Sequence, residues 1–359
     1  MFLIILLVLA IFSLLVIAHE FGHFIVAKRN GIKVHEFGIG FPPRLWGKKK
    51  GDTLYSINLL PLGGFVRLEG EDNESKSQRS FAVKPLRVQA RVLMAGVAMN
   101  ALIAYIILVG LAATGLPQIF PFDLPRVGLI APISAEAPRL VVFSVGKESA
   151  AAKSDIAVGD EIVSINGQKL NSESELRAFT QSRGGQTVEL ISKRGSQTST
   201  KSITLGEDKE KGILGVVALS QERQKYAWWA APIAALFLMG QTIIATVTAF
   251  AGAIATLLLR FKVADTVVGP VGVTAVFGQV IRFGSDYVLA LVASISTSLA
   301  VINALPLPAL DGGRLFLLSL RRIGVPVSEK LEVIINLAGF VALIIFGIII
   351  AISDKARFF

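Results

Sequence analysis

His19-Glu20-Phe21-Gly22-His23 stands near the end of an apolar run that begins at Met1, and Glu20 is the one charged residue as far as Ala27. On an α-helix, residues four apart share a face, so the two imidazoles project together and can hold one zinc ion. Glu20 sits beside that face. In zinc hydrolases of this pattern the carboxylate is no ligand; it takes a proton from the water that attacks a carbonyl. The run is long enough to cross a bilayer. An ionisable group inside such a segment marks a functional site, facing a polar cavity or a partner helix. The start, Met1-Phe2-Leu3-Ile4, lacks the basic stretch of a signal peptide.

With 53% hydrophobic and only 17% charged residues among 359, the chain is more apolar than soluble domains and reads as an integral membrane protein. The net charge of +10 therefore points first to cytoplasmic loops rich in Lys and Arg, and no nucleic-acid motif accompanies it. Cysteine is absent, which excludes disulfides and cysteine-held zinc and leaves any metal to histidine and carboxylate. The histidines are His19, His23 and His35.

A first span over about 3–27 ends at Lys28-Arg29-Asn30-Gly31. His19 then lies about 24 Å along it, so the metal belongs near the exit face. Residues 28–91 are rich in Lys and Arg, which places them in the cytoplasm and the N-terminus outside. Within them 53–60 is strand-like, Pro61-Leu62-Gly63-Gly64 supplies a turn, and 65–68 resumes a strand. A β-hairpin within about 33–70 is expected beside the membrane, either as an edge that aligns an extended substrate or as a structural cap. Residues 71–80 read as a solvated loop without chemistry. A second span over about 92–116 carries Ala95-Gly96-Val97-Ala98-Met99-Asn100-Ala101, small residues that let helices approach, with Asn100 bridging them.

The composition changes at residue 118, and 118–222 reads as a soluble domain that must lie outside, since two spans precede it. Ser172-Glu173-Ser174-Glu175 offers a capping box for a helix through about Arg183. Strands are expected at 126–130, 140–145, 161–165 and 187–192. Gly159-Asp160-Glu161-Ile162-Val163-Ser164-Ile165-Asn166-Gly167-Gln168 resembles the PDZ-domain segment in which Gly-Asp precedes a strand ending in an Asn-Gly turn.

The apolar stretch 226–259 leaves a topological choice. A later run, about 286–310, ends at Asp311 and must enter from outside if that carboxylate is to reach the depth of His19 and His23. Either 226–259 lies along or dips into the outer leaflet, the arrangement preferred here, or it crosses and 266–281 returns. Arg314, Arg321, Arg322 and Lys330 mark another cytoplasmic loop, and a last span over about 333–352 returns outside.

Two histidines leave zinc short of the three protein ligands that catalytic sites carry. His35, in a polar loop close to the first span, is a minor candidate. Asp311 is the better one, a carboxylate at a membrane boundary. Pro306 and Pro308 forbid a regular helix before it, and Gly312 and Gly313 permit a turn after it.

Taken together, His19-Glu20-Phe21-Gly22-His23, Pro61-Leu62-Gly63-Gly64-Phe65, a PDZ-like insert, Gly269-Pro270-Val271-Gly272, and Asn303, Pro306, Pro308 and Asp311-Gly312-Gly313 resemble the bacterial site-2 protease family, in its RseP/RasP-like branch. The resemblance runs over nearly the whole chain. It implies an intramembrane zinc metalloendopeptidase with one catalytic Zn2+, His19, His23 and Asp311 as ligands, and Glu20 as base. It also implies that Asn303 contacts substrate backbone near the site. The hairpin with Gly63 and Gly64, and the loop with Pro306 and Pro308, would help hold the substrate extended. The chain departs from the family pattern at Val97, where a proline is usual, and it has room for one PDZ domain where two are frequent.

The expected architecture is a polytopic α-helical membrane protein with four core transmembrane helices and one further undecided apolar segment. It carries a membrane-associated β-hairpin and an inserted extracytoplasmic PDZ-like domain. Its parts are an N-terminal membrane half (1–117), the PDZ-like domain (118–222), a membrane-associated segment (223–285) and a C-terminal membrane half (286–359). The expected setting is the bacterial cytoplasmic (inner) membrane, with the active site toward the cytoplasmic side. Expected partners are single-span membrane proteins such as anti-sigma factors or remnant signal peptides, the lipid bilayer and a peptide at the PDZ-like domain; nucleic acid is not expected. The alternatives are a non-enzymatic PDZ membrane scaffold with a structural metal site and a metal transporter. A transporter should carry more ionisable residues in its spans than this chain does.

Overall fold

A computed structural model describes residues 2–71, 75, 77–117, 131–135, 139–146, 148–195, 197–206, 214–221, 223–260 and 268–358. The expected strand at 126–130 lies outside the described residues. The chain divides into two compact units. One holds Met1–Ile107, Leu236–Gly278 and Leu291–Phe359; the other holds Leu108–Ala235 and Gln279–Ala290.

In the first unit, α1 (Phe2–Arg29) is an almost uninterrupted series of Leu, Ile, Val, Phe and Ala. Its last turn carries Lys28 and Arg29, which complement the helix dipole. It ends where Gly31 takes a φ of 67° and the Ile32 N–H donates back to the Ala27 carbonyl, a Schellman turn that only glycine enters cheaply. Next come β1 (Val34–Lys50) and β2 (Thr53–Leu68). Their register is double: Gly38 lies opposite Phe65 on one side and Ser56 on the other, and Ile39 opposite Gly64 and Ile57. The first half of β1 is therefore flanked on both sides by β2, while Lys50 pairs with Thr53 at the hairpin turn. This leaves 64–68 as an outer strand, whose Val66 and Leu68 N–H groups are taken by the carboxylates of Glu20 and Glu71.

α2 (Leu86–Thr114) runs unbroken through Val97, as expected where no proline removes a backbone donor. Buried Asn100 bridges to the C-terminal half through its backbone, its carbonyl accepting from Ser296 Oγ at 2.8 Å.

The second unit contains a small β3 (Ser134–Ala135), then β4 (Arg139–Val145), α3 (Ala150–Lys153), β5 (Glu161–Ile165), α4 (Glu173–Gln181), β6 (Thr187–Arg194), β7 (Gln197–Thr204), β8 (Val216–Gln221) and β9 (Gln224–Lys225). The five longer strands form one antiparallel sheet in the order β7-β6-β5-β4-β8. Leu140, Ile162, Ile165, Leu190 and Ile203 fill its core with Leu176 and Phe179 of α4. Asn166 and Gly167 both take positive φ, the conformation a tight hairpin turn requires. Ser172 Oγ accepts from the Glu175 N–H, and Glu175 returns a bond to the Asn171 N–H, one residue earlier than the usual capping box. The helix stops at Gln181 rather than Arg183. Asp160, nearly fully buried, takes the Arg194 guanidinium at 2.6 Å and the Ala157 N–H at 2.9 Å. Burial pushes its carboxyl up, but those donors outweigh burial and hold it below the usual carboxylate value.

Most of the stretch 226–259 forms one continuous helix, α5 (Ala231–Arg260), of 30 residues. The stretch 266–281 contributes α6 (Pro270–Val280) with 11 residues; its rise of about 16 Å is too short for a hydrocarbon core of about 30 Å. Then come α7 (Ser285–Ala304), α8 (Asp311–Arg322) and α9 (Glu329–Phe358). Thr246 of α5 and Ser298 of α7 share a hydrogen bond of 2.9 Å, the kind of contact worth about 0.6 kcal/mol between membrane helices. Asp354 of α9 accepts from the N–H groups of Gly269 and Gly272, so the Gly269-Pro270-Val271-Gly272 motif forms a helix start capped by another helix. Among the described residues, five helices are long and apolar enough to cross a membrane: Phe2–Arg29, Leu86–Thr114, Ala231–Thr256, Ser285–Ala304 and Lys330–Asp354.

Candidate metal centre and active site

His19 and His23 project from one face of α1 into the interior, each 8% exposed. Their Nε2 atoms are 3.1 Å apart. Asp311, the first residue of α8, brings Oδ2 to 2.9 Å from His19 Nε2 and 3.4 Å from His23 Nε2. The His23 ring donates from Nδ1 to the Val92 carbonyl at 2.7 Å, which leaves Nε2 as a bare lone pair. Oδ2 of Asp311 is buried, with the two ring nitrogens as its polar neighbours. His19 Nδ1 is buried without a partner among the described residues, so at most the single His19 ring proton lies among these three converging atoms, and a cation would satisfy all of them. A tetrahedral ion with ligands at about 2.0–2.2 Å would space them about 3.3–3.6 Å apart, a little wider than the observed triangle of 2.9, 3.1 and 3.4 Å. The donor set fits zinc.

Helix packing makes this convergence possible. At Gly96 of α2 an added Cβ would lie 2.5 Å from His23 Nε2 and 2.6 Å from His19 Nε2. Only a residue without a side chain lets α2 pass so close to the ligands. In sequence Gly96 is one of several small residues in 95–101, and nothing there distinguishes it for this role.

Asp311 is delivered by a non-helical loop. Leu305–Leu310 contains Pro306 and Pro308, and Ala309 takes a φ of 70°, a region that residues with a Cβ enter reluctantly. Asn336 of α9 holds that residue, its Oδ1 accepting from the Ala309 N–H at 3.2 Å. Gly312 and Gly313 are buried against the carbonyls of Ala304, Leu305 and Leu307, which leave no space for a side chain. Asn303 is half-buried in the last turn of α7.

Glu20 brings an oxygen within 4.8 Å of the ring nitrogens, yet its Oε2 is engaged elsewhere, accepting from the Val66 N–H of β2 at 3.1 Å. The outer strand of the sheet therefore runs beside the would-be base. Gly63 and Gly64 are buried and serve close packing: the Gly63 N–H donates to Ser13 Oγ of α1, which donates to the Pro61 carbonyl. An added Cβ on Gly64 would lie 2.8 Å from the Gly38 carbonyl. They seat the strand on α1. His35 lies in β1 and pairs with Glu69 at 2.7 Å, apart from the histidine pair. Glu71 overturns the expectation of a solvated 71–80 loop. It is half-buried, ion-paired with Arg314 and bonded to the Leu68 N–H.

Two histidines in a helix and a carboxylate from a second element meet beside a glutamate held by a strand edge, an arrangement that fits a metal-dependent hydrolase site, built on helices of membrane-spanning length. The model for Peptidase family M50 matches residues 7–346, and the chain belongs to that family of metallopeptidases. A provisionally named zinc metalloprotease of Clostridium perfringens is 33% identical over 354 residues, covering 96% of each chain. The regulator of sigma-W protease RasP of Bacillus subtilis is 27% identical over 438 aligned residues, covering 97% of each. Zinc metalloprotease RasP of Geobacillus kaustophilus is 25% identical over 445, covering 98% of this chain and 97% of its own. The PDZ domain of an SdrC-like protein from Listeria monocytogenes covers 22% of this chain and 85% of its own at 28% identity. Its TM-score of 0.20 is too low to carry the fold assignment.

Proposed function

We propose that the chain is an intramembrane endopeptidase that uses zinc to cut the transmembrane segments of single-span membrane proteins. The observation that carries this reading is the meeting of His19, His23 and Asp311 at 2.9–3.4 Å beside Glu20, on a helix of spanning length. Zinc held by these three residues supplies Lewis acidity at the scissile carbonyl. Glu20 accepts the proton of the attacking water and passes it to the leaving amine nitrogen. The Val66 N–H fixes the Glu20 carboxylate for that transfer. A substrate helix hides its carbonyls and N–H groups in its own hydrogen bonds, so it must unwind locally before attack; the outward carbonyls of the 64–68 strand offer its N–H groups replacement bonds, while the strand's Val66 and Leu68 N–H groups stay with Glu20 and Glu71. In this reading Asn303 and the Pro306–Pro308 loop line the path of the unwound segment. The substrate class extends to anti-sigma factors and remnant signal peptides. A structural metal site in a scaffold would give no reason for an uncoordinated Glu20 beside the ligands.

The test is cleavage of a single-span substrate by the full chain in proteoliposomes. Mass spectrometry should place the cut within the apolar span, chelation should abolish it and zinc should restore it. A chelator-insensitive cut, or one confined to the soluble flanks, sinks the reading.

We infer further that the chain sits in the cytoplasmic membrane with residues 28–91 inside and the PDZ-like domain outside. With α6 too short to return the chain, α5 has to lie along or dip into the outer leaflet without crossing, so that α7 enters from outside and Asp311 reaches the depth of His19 and His23. Because the chain has no cysteine, single cysteines report cleanly. Cysteines replacing Gln168 and Lys262 should label from outside, and one replacing Lys49 should label from inside. Labelling of position 262 from the cytoplasmic side alone would overturn this path for α5.

A further inference from the structure

Glu71 and Arg314 lie 243 residues apart in sequence and meet through both side-chain and backbone atoms. Arg314 Nη1 donates to Glu71 Oε1 at 2.5 Å, and Nη2 donates to the Glu71 carbonyl at 3.1 Å. The remaining oxygen, Oε2, accepts from the Leu68 N–H at 3.2 Å. Both side chains are largely shielded, at 23% and 19% exposure, so the pair is not a solvated surface bridge of negligible worth.

The location gives the pair its meaning. Arg314 is one turn into α8, whose first residue is Asp311. Glu71 follows the end of β2 and grips Leu68, two residues beyond the Val66 N–H that holds Glu20. Leu315, next to Arg314, packs on the same apolar cluster that contains Leu68, Val34, Val92 and Ala27. Apolar packing holds α8 against this cluster without fixing its rotation or its slide. A planar guanidinium bonded at two points to one residue does fix both.

We propose that Glu71 and Arg314 are positioning residues of the active site: they clasp the helix carrying Asp311 to the strand that holds Glu20, and so set the third metal ligand against the base. This rests on the protease reading above and identifies the device that registers its two halves. Partners that orient metal ligands from outside the coordination shell change metal affinity or turnover by about 10- to 100-fold.

The experiment compares the full chain with Glu71→Gln, Arg314→Gln, the double variant, and the exchange of Glu71→Arg with Arg314→Glu. Zinc retention against a competing chelator, kcat, KM and thermal unfolding are measured on each. Each single substitution should lower kcat and zinc retention by about 10- to 100-fold with KM held within about twofold. The double variant should be no worse than the weaker single, because the pair acts as a unit, and the exchange should recover part of the zinc retention. Wild-type retention and kcat in both singles, additive losses in the double, or losses that follow unfolding alone would overturn the proposal. Zinc retention needs no substrate. A wild type that holds zinc and cleaves nothing would therefore defeat the protease reading while the clasp is still judged on retention.

Discussion

Gly96→Ala should strip the protein of zinc and of activity while leaving the helices in place. The added methyl would sit 2.5–2.6 Å from the Nε2 atoms of both histidines, where ordinary contact needs more than about 3.4 Å. Something must move by about 0.9 Å. The backbone of α2 cannot yield easily, because Ala95 is itself pressed against Gly22 of α1. The imidazoles are left to rotate, and metal–ligand distances tolerate only about ±0.2 Å. A misplacement on this scale costs on the order of a hundredfold in turnover, and the lost ligand geometry should weaken zinc binding by at least as much. Gly110→Ala is the control, since a Cβ there has nothing within 4 Å; it should retain zinc and activity. If Gly96→Ala binds zinc with wild-type stoichiometry and affinity, the helix crossing does not shape the site as described.

Glu20→Gln should have the opposite signature, full zinc and little or no cleavage. Glutamine keeps an oxygen that can accept from the Val66 N–H, so the strand contact survives. It loses the basic carboxylate, and removal of a positioned general base costs about 10²- to 10⁴-fold. Because Glu20 is engaged by β2 rather than by the converging nitrogens, the substitution should leave substrate binding and metal content near wild type. Comparable cleavage rates for Glu20→Gln and wild type would remove Glu20 from the chemistry.

The two changes separate what the sequence makes legible from what it hides. The four-residue spacing of His19 and His23 survives translation into structure because it depends only on helix geometry. Asp311 was reachable by asking which carboxylate had no cause to stand at a membrane boundary. Gly96 could not be found that way: Ala95, Gly96 and Ala98 are equally small in sequence, and only the rotation of α2 decides which one faces the ligands. Glu71 looked solvated because its neighbours in the chain are polar, while its partner is on a distant helix. In the sheet, β6 shows its alternation, burying Val188 and Leu190 and exposing Thr187 and Glu189, but β7 has exposed Gln, Thr and Ser at six of its eight positions, a half-buried Lys201 and a buried Ile203. It is held by pairing with β6 rather than by any pattern of its own. The double register of β1 was likewise hidden, since one stretch of residues satisfies two neighbours.

The central claim is that two distant parts of the chain close one three-ligand site and that Glu20 stands outside it. X-ray absorption at the zinc edge of the Glu20→Gln protein tests this most directly, because the variant should keep its metal while losing cleavage. The account predicts one zinc per chain with two imidazole nitrogens and carboxylate oxygen at about 2.0–2.2 Å, unchanged from wild type. A shell lacking imidazole, or zinc lost when Glu20 alone is replaced, would contradict it.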